Sequence, residues 1–455
     1  MAFSRLDLWR NPYRPGGFFL GREDWFGLAV GYASERHALT VGGSRGGKGA
    51  AVIIPNLRRW PESAVVIDPK GENAEETAAY RQDKLGIPSY VLDPFGEARV
   101  RKDLRASFNV FDIIRPDTKR GFSDVRTLTD GMMMRHDDKA AFFDSGAEDI
   151  MTGAIVDTLT NPRGRDDMRN LVGLRSRFKT EERFKRLLAA MARNPAMGGM
   201  AQAAAANIAR APENTLGSFL TTLEDNTRWI DDVAVIGTLR RSTFQLSELK
   251  RKRCTVYLVV PSDLLDIHGR FLRLFVRAAL HTMAQRVNGS LKGTRTLFLL
   301  DEFTALGYLE QVETAAGLMP GYGVHLWPFV QNLGQLEAAY GASGASTFLA
   351  NADVHQFFAA NDPHTLGHIA ARLGTDKDGQ GREVPVASER ELLAMIGKGK
   401  GDTVARNQIV FLPTGEALKL RLSPWFMPLE LLVIPRALVA AVLLLIAGLA
   451  GFALL

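Results

Sequence analysis

The stretch Gly42-Gly43-Ser44-Arg45-Gly46-Gly47-Lys48-Gly49 constrains this chain more than any other. It follows an apolar run at 37–41 and precedes a helix-forming run at 50–57. A glycine-rich turn between a strand and a helix N-terminus lets successive backbone N–H groups close around phosphate oxygens. The helix dipole favours the same negative charge. Lys48 adds a point charge able to reach the outer phosphates. The stretch therefore reads as a P-loop, with residues 42–49 as nucleotide-binding positions. Gly49 departs from the general pattern, because Ser or Thr ordinarily supplies a Mg²⁺-binding hydroxyl there. Taken alone, the stretch also fits a flexible glycine turn.

A second feature narrows the choice. Leu297-Phe298-Leu299-Leu300-Asp301-Glu302 is an apolar strand that ends in two adjacent acids. The carboxyl ends of buried strands are where α/β proteins bind ligands. Asp301 fits the Mg²⁺-holding role, directly or through water, and Glu302 fits a base that orients an attacking water. A strand that merely ends in solvent would look the same without the P-loop upstream; the two motifs in this order point to ATP or GTP. Gln331 closes another apolar run, 324–330. An amide there is placed to sense a γ-phosphate, although capping a turn is an equally ordinary role.

Continuous apolar runs recur at 37–41, 64–68, 89–92, 255–260, 296–301, 324–330 and 354–360. They do not alternate with polar residues, which marks strands covered on both faces in a parallel sheet. Helix-like stretches such as 271–286 and 336–340 lie between them, so the fold class is α/β, doubly wound. Between 121 and 232 the strand signal disappears, and Ala-, Met- and Arg-rich stretches at 182–193 and 200–211 predict an inserted all-α domain. The expected organisation is a polar and aromatic segment at 1–36, a nucleotide-binding domain at 37–120 and 233–428, the insertion at 121–232, and a C-terminal apolar helix at 432–455. Residues 408–412 and 417–422 flank Pro413-Thr414-Gly415 and read as an edge hairpin. Residues 374–401, rich in Gly, Lys and Asp, read as exposed loops.

Composition excludes a few classes. The chain is 46% hydrophobic and 23% charged, which argues against long disorder. Its single cysteine, Cys254, rules out an internal disulfide and a cysteine-rich zinc site, and its apolar surroundings suggest a buried, inert thiol. His364 and His368 share a helical spacing but have no third ligand in sight. The net charge of +6 suits a polyanion or a membrane surface without demanding either. Residues 1–10 carry Arg5, Asp7 and Arg10 and lack the apolar core of a signal peptide. From Ala437 to Leu455 no charged residue occurs, and about 19 helical residues span roughly a bilayer's hydrocarbon core. Lys419, Arg421 and Arg436 precede this run, so the positive-inside rule leaves the bulk of the anchored chain in the cytoplasm.

With these residues in view, the chain resembles the TraG-type coupling ATPases of type IV secretion and conjugation from about residue 37 to about 425. The resemblance rests on Gly47-Lys48-Gly49 followed by Val52-Ile53-Ile54-Pro55, and on Asp68-Pro69-Lys70-Gly71-Glu72. It continues through Phe108-Asn109-Val110-Phe111, Tyr257-Leu258-Val259-Val260-Pro261, Asp301-Glu302-Phe303 and Gln331-Asn332-Leu333-Gly334-Gln335-Leu336. The family's version shares the glycine after the lysine. The resemblance implies a RecA-like motor with an inserted all-α domain that receives cargo, and ATP and Mg²⁺ as cofactors. It further implies a homo-hexameric ring that passes single-stranded DNA led by a relaxase, or effector proteins, to type IV secretion channel components, and an anchor in the inner membrane. The family usually carries a two-helix transmembrane domain before the motor, whereas here about forty polar and aromatic residues precede the P-loop. A trans-acting arginine is also implied, with Arg240, Arg241 and Arg372 as candidates. The basic run Lys250-Arg251-Lys252-Arg253 is a candidate DNA contact or a solvated loop. Two other readings stay open: a nucleotide-dependent docking platform with little hydrolysis, and a DNA translocase of the FtsK/HerA kind.

Overall fold

The computed structural model describes residues 11–24, 27–133, 141–287 and 289–426. Its strands are β1 (Phe18–Arg22), β2 (Ala29–Tyr32), β3 (His37–Gly42), β4 (Ser63–Ile67), β5 (Ser89–Leu92), β6 (Thr255–Leu258), β7 (Thr296–Leu300), β8 (Val324–Val330), β9 (Ala352–Phe358), β10 (Thr375–Lys377), β11 (Glu383–Pro385), β12 (Asn407–Phe411) and β13 (Ala417–Arg421). All but β10 and β11 join one sheet, in the order β2-β1-β13-β12-β9-β3-β8-β7-β4-β6-β5. From β9 to β5 the neighbours are parallel. Every residue of β3, β4, β6, β7 and β8 is buried. This two-sided cover is the physical reason the runs read as unbroken apolar stretches. A large mixed α/β sheet of this kind fits the RecA-like expectation.

The other end of the sheet departs from expectation. β12 and β13 do form the expected hairpin, with Asn407 opposite Arg421 and Phe411 opposite Ala417. The hairpin is not an edge, however, because β13 pairs with β1, and β1 with β2. The polar and aromatic segment before β3 thus extends the sheet, with Phe18 stacked on Trp60 and meeting Trp327 edge-on. Residues 374–401 are not simply loops either. They hold the β10–β11 hairpin and a helix, Glu389–Ile396, opened by a capping box between Ser388 and Glu391.

Between β5 and β6 the described residues contain no strand. The helices Gly121–Met132, Ala141–Thr160, Leu171–Ser176, Glu181–Met191, Ala196–Ala209, Glu213–Thr227 and Val233–Leu239 succeed one another there. Met197, Gly198 and Gly199 break the helical path of Ala196–Ala209. The helical layer is tied to helix Leu265–Met283 by two polar contacts. Arg277 donates to Asp130 at 2.6 Å, and His281 meets Asp124 at 2.7 Å. Arg115 also donates to the buried Asp124, and these partners hold its carboxyl down at about 2 against the effect of burial. Among the described residues no helix is long and apolar enough to cross a membrane. The expected anchor at 432–455, and the tryptophans at 9 and 25, lie outside the described residues.

One fully buried cation braces the part of the fold that carries the P-loop. Arg81, in helix Glu72–Asp83, donates to Thr255 Oγ1 at 2.6 Å and to the carbonyls of Leu57, Trp60 and Glu62. Leu57 ends the helix that leaves the P-loop, so this guanidinium satisfies that helix's last carbonyl together with two in the segment that follows it. Arg81→Met should cost about 3–5 kcal/mol, because several buried carbonyls lose their donors at once. Chemical denaturation of the variant beside wild type checks this.

Candidate nucleotide site

The parallel register alone assembles the site. Gly42 ends β3, Gln331 follows β8, Asp301 follows β7 and Asp68 follows β4, and these strands are neighbours in that order. Val41 pairs with Val330, and Ile67 pairs with Leu300. The phosphate loop, the amide and the acids therefore meet at one carboxyl edge of the sheet, the edge at which open α/β sheets take ligands. A cleft of about 520 Å³ lies there, lined by residues 43–50 together with Asp68, Lys70, Asn73, Asp301 and Glu302.

Close packing forces glycine at positions 43, 46 and 47 of the loop. A Cβ on Gly43 would stand 2.1 Å from the carbonyl oxygen of Ala359, and one on Gly46 would stand 2.7 Å from Ala359 Cβ. Gly47 has φ of 103°, and a Cβ there would meet Val404 at 2.7 Å. The loop is also stitched to its surroundings: Gly43 N donates to Phe358 O, and Ala405 N donates to Gly46 O. Beyond it the chain makes a π-helical turn, Lys48–Ile53, and runs on into α-helix Ile54–Leu57.

Lys48 is 9% exposed. Its ammonium donates to Gly42 O at 3.2 Å and lies 3.4 Å from Glu302 Oε1. Gln331 Nε2 donates to the other oxygen of Glu302 at 3.1 Å. Three residues singled out in the sequence thus form one chain, Lys48–Glu302–Gln331. Glu302 holds a left-handed backbone, with φ 49° and ψ 40°, which costs a non-glycine residue about 1–3 kcal/mol. Strain of this kind persists where the surroundings impose it, and functional sites are where it collects. Asp301 is part-buried beside it, and desolvation foremost raises its carboxyl to about 6. Lys48 opposes that rise and Glu302 adds to it. Ser44 and Arg45 line the cleft, and Arg45 has φ of 56°.

Several site residues were not assigned from the sequence. Asp68 is 1% exposed and is raised to about 7, chiefly by burial. Asn73, on the following helix, donates to Asp68 Oδ1 at 3.2 Å, and Ala74 N donates to Asp68 Oδ2 at 2.8 Å. The Asp68-Pro69-Lys70-Gly71-Glu72 segment was the available signal, but it marked a likeness and not a role. Lys398, from the stretch expected to be loops, and Thr403, just beyond it, also line the cleft, and Lys398 donates to Arg45 O at 3.0 Å.

Other sequence candidates are placed differently. Lys250, the first of the four basic residues, is buried and donates to the carbonyls of Met283 and Gln285, so it is a structural cation. Arg251, Lys252 and Arg253 are exposed. Arg372 packs against Phe411 and contacts His355, whereas Arg240 and Arg241 are exposed. Burial pushes the Cys254 thiol up, away from reactivity.

Residues 10–377 match the family described as Type IV secretory system Conjugative DNA transfer. The chain belongs to this family. It is 29% identical over 352 residues to protein VirD4 of Rhizobium rhizogenes, an alignment covering 77% of the chain and 51% of that protein. It is 27% identical over 350 residues to the conjugal transfer protein TraG of Rhizobium radiobacter, covering 76% and 53%. The chain thus spans about half the length of the curated relatives it matches. In fold it is similar to the bacterial conjugative coupling protein TrwBdeltaN70, with a TM-score of 0.68 at 16% identity, covering 93% of this chain and 92% of the other. It is also similar to TrwB in complex with the ATP analogue ADPNP, with a TM-score of 0.64 at 16% identity, covering 90% and 92%.

The loop packing makes a sharp prediction. Gly43→Ala should lower stability by about 1–3 kcal/mol, because its methyl meets a backbone oxygen that cannot retreat. Gly49→Ala, whose methyl would meet only Asn73 Oδ1 at 3.6 Å, should change it by less than about 1 kcal/mol. Equilibrium unfolding of both variants in urea compares them directly.

Proposed function

We propose that this chain is an ATP-driven coupling protein of a conjugative type IV secretion system. The observation that carries the proposal is the chain Lys48–Glu302–Gln331 across one sheet edge, between a sterically fixed phosphate loop and Asp301. In this reading residues 42–49 and Lys48 hold the phosphates of ATP. Mg²⁺ supplies charge neutralisation there when bound, with Asp301 as its holder, directly or through water. Glu302 accepts the proton of the attacking water, and Gln331 fixes the orientation of the Glu302 carboxylate. The contact of Gln331 with Glu302 gives a physical route from γ-phosphate loss to the start of helix Leu333–Asn351, because Gln331 N is bonded to Gln335 on that helix.

The domain boundaries, assembly and cargo belong to the same proposal. The motor comprises 37–120 and 233–428 with its sheet extended by β1 and β2, the helical insertion 121–232 receives cargo, and residues 432–455 tether the protein to the inner membrane with its bulk in the cytoplasm. The working form is a homo-hexamer that passes single-stranded DNA with its relaxase, or effector proteins, to the secretion channel. Exposed Arg240 and Arg241 are better placed than the packed Arg372 to reach a neighbouring subunit.

Full-length protein in detergent should hydrolyse ATP with a rate per subunit that climbs steeply with concentration and rises when single-stranded DNA is added. Lys48→Ala should lose nucleotide binding. Glu302→Gln should keep binding and lose about 10²–10⁴-fold in turnover. Hydrolysis that is absent or independent of DNA and dilution would leave a docking platform in place of a motor; wild-type turnover in Lys48→Ala would refute the site.

A further inference from the structure

The P-loop glycine at 49 leaves a chemical gap, because the hydroxyl that ordinarily follows the lysine is missing. The side chain facing that gap is Asn73. Its Oδ1 lies 3.6 Å from the position a Cβ on Gly49 would take, and among the described residues outside Gly49's own turn it is the one atom within 4 Å of that position. Asn73 is 3% exposed and lines the cleft, and its Oδ1 is a buried acceptor with no hydrogen-bond partner. Leaving such an atom unpaired is costly, so a buried orphan oxygen at a site's wall calls for an explanation.

The orientation of the amide is imposed. Asn73 Nδ2 donates to Asp68 Oδ1, and Asp68 is an acceptor already held on its second oxygen by Ala74 N. With Asp68 ionised, rotating the amide would set its oxygen against the carboxylate and lose that bond. Asp68 thus turns the carbonyl of Asn73 toward Gly49. On the next strand, Asp301 sits at the matching register position, since Ile67 pairs with Leu300. Mg²⁺ takes oxygen ligands, amide carbonyls among them, and usually keeps several waters.

Resting on the nucleotide-site reading above, we infer that Asn73 supplies the neutral oxygen that a P-loop Ser or Thr would otherwise give to the nucleotide-bound Mg²⁺, directly or through one water. Asp68 is its positioning residue. The site carries the cation between an amide from the second strand-to-helix turn and a carboxylate from the strand bearing Asp301, leaving Gly49 free of any side chain.

The test is equilibrium binding of a fluorescent ADP to the full chain, with Mg²⁺ and with EDTA. The quantity read is the ratio of the two affinities. Asn73→Ala should cut that ratio at least tenfold while changing the EDTA affinity by less than threefold. Adding Gly49→Ser to Asn73→Ala should restore most of it, because the hydroxyl returns to the opposite side of the same gap. An unchanged ratio in Asn73→Ala would overturn the inference and leave Asn73 as a brace for Asp68. Gly49→Ser alone keeps the inference exposed even if Asn73→Ala fails to fold. A serine that raises the wild-type ratio tenfold or more would mean that the cation lacked this ligand, whereas a change below threefold supports Asn73 in the role. If wild type binds no ADP under either condition, the nucleotide reading itself falls.

Discussion

The parallel register of β3, β8, β7 and β4 is the constraint on which the rest of this molecule depends. Pairing Val41 with Val330 and Ile67 with Leu300 fixes where each strand ends. The residue after each end is then delivered to one sheet edge: the phosphate loop, Gln331, Asp301 and Asp68. A one-residue slip of β8 would turn its side chains to the opposite face and break the contact between Gln331 and Glu302. The buried strands leave no such freedom, because both faces are packed.

That edge gathers charge that the protein only partly neutralises by itself. Asp68 and Asp301 follow neighbouring strands β4 and β7, both raised chiefly by burial, Asp68 further by Asp301 and Asp301 further by Glu302. Lys48 is shared between Gly42 O and Glu302. Acids held this way suit a site that binds a metal–phosphate complex, since the cation lowers the cost of ionising them together. The unpaired oxygen of Asn73 points to the same conclusion by a different route, through hydrogen bonding and not charge.

Most of this was legible in the chain. Two-sided burial wrote the central strands as unbroken apolar runs, so β3 through β9, and the edge at which Gly42, Asp301 and Gln331 gather, followed from pattern. The run of helices between β5 and β6 was legible because the strand signal stops where the helices begin. What was not legible depended on distant partners. β1 and β2 pass for a polar and aromatic lead-in until β13 is there to pair with. Lys250 looks like one of four surface cations until the carbonyls of Met283 and Gln285 are seen around it. Asn73 carries no motif of its own, and its meaning comes from facing Gly49 across a turn. Helix Glu389–Ile396 was hidden by the glycines around it, although Ser388 and Glu391 mark its start.

The central claim is that this sheet edge holds a nucleotide. Electron cryomicroscopy of the full chain with ADPNP and Mg²⁺ tests it most directly. The account predicts triphosphate density cradled by residues 43–49, with Lys48 and Glu302 against its outer phosphate and the cation between Asn73 and Asp301. Nucleotide density elsewhere on the molecule, or a cleft that stays empty at saturating ADPNP, would contradict it.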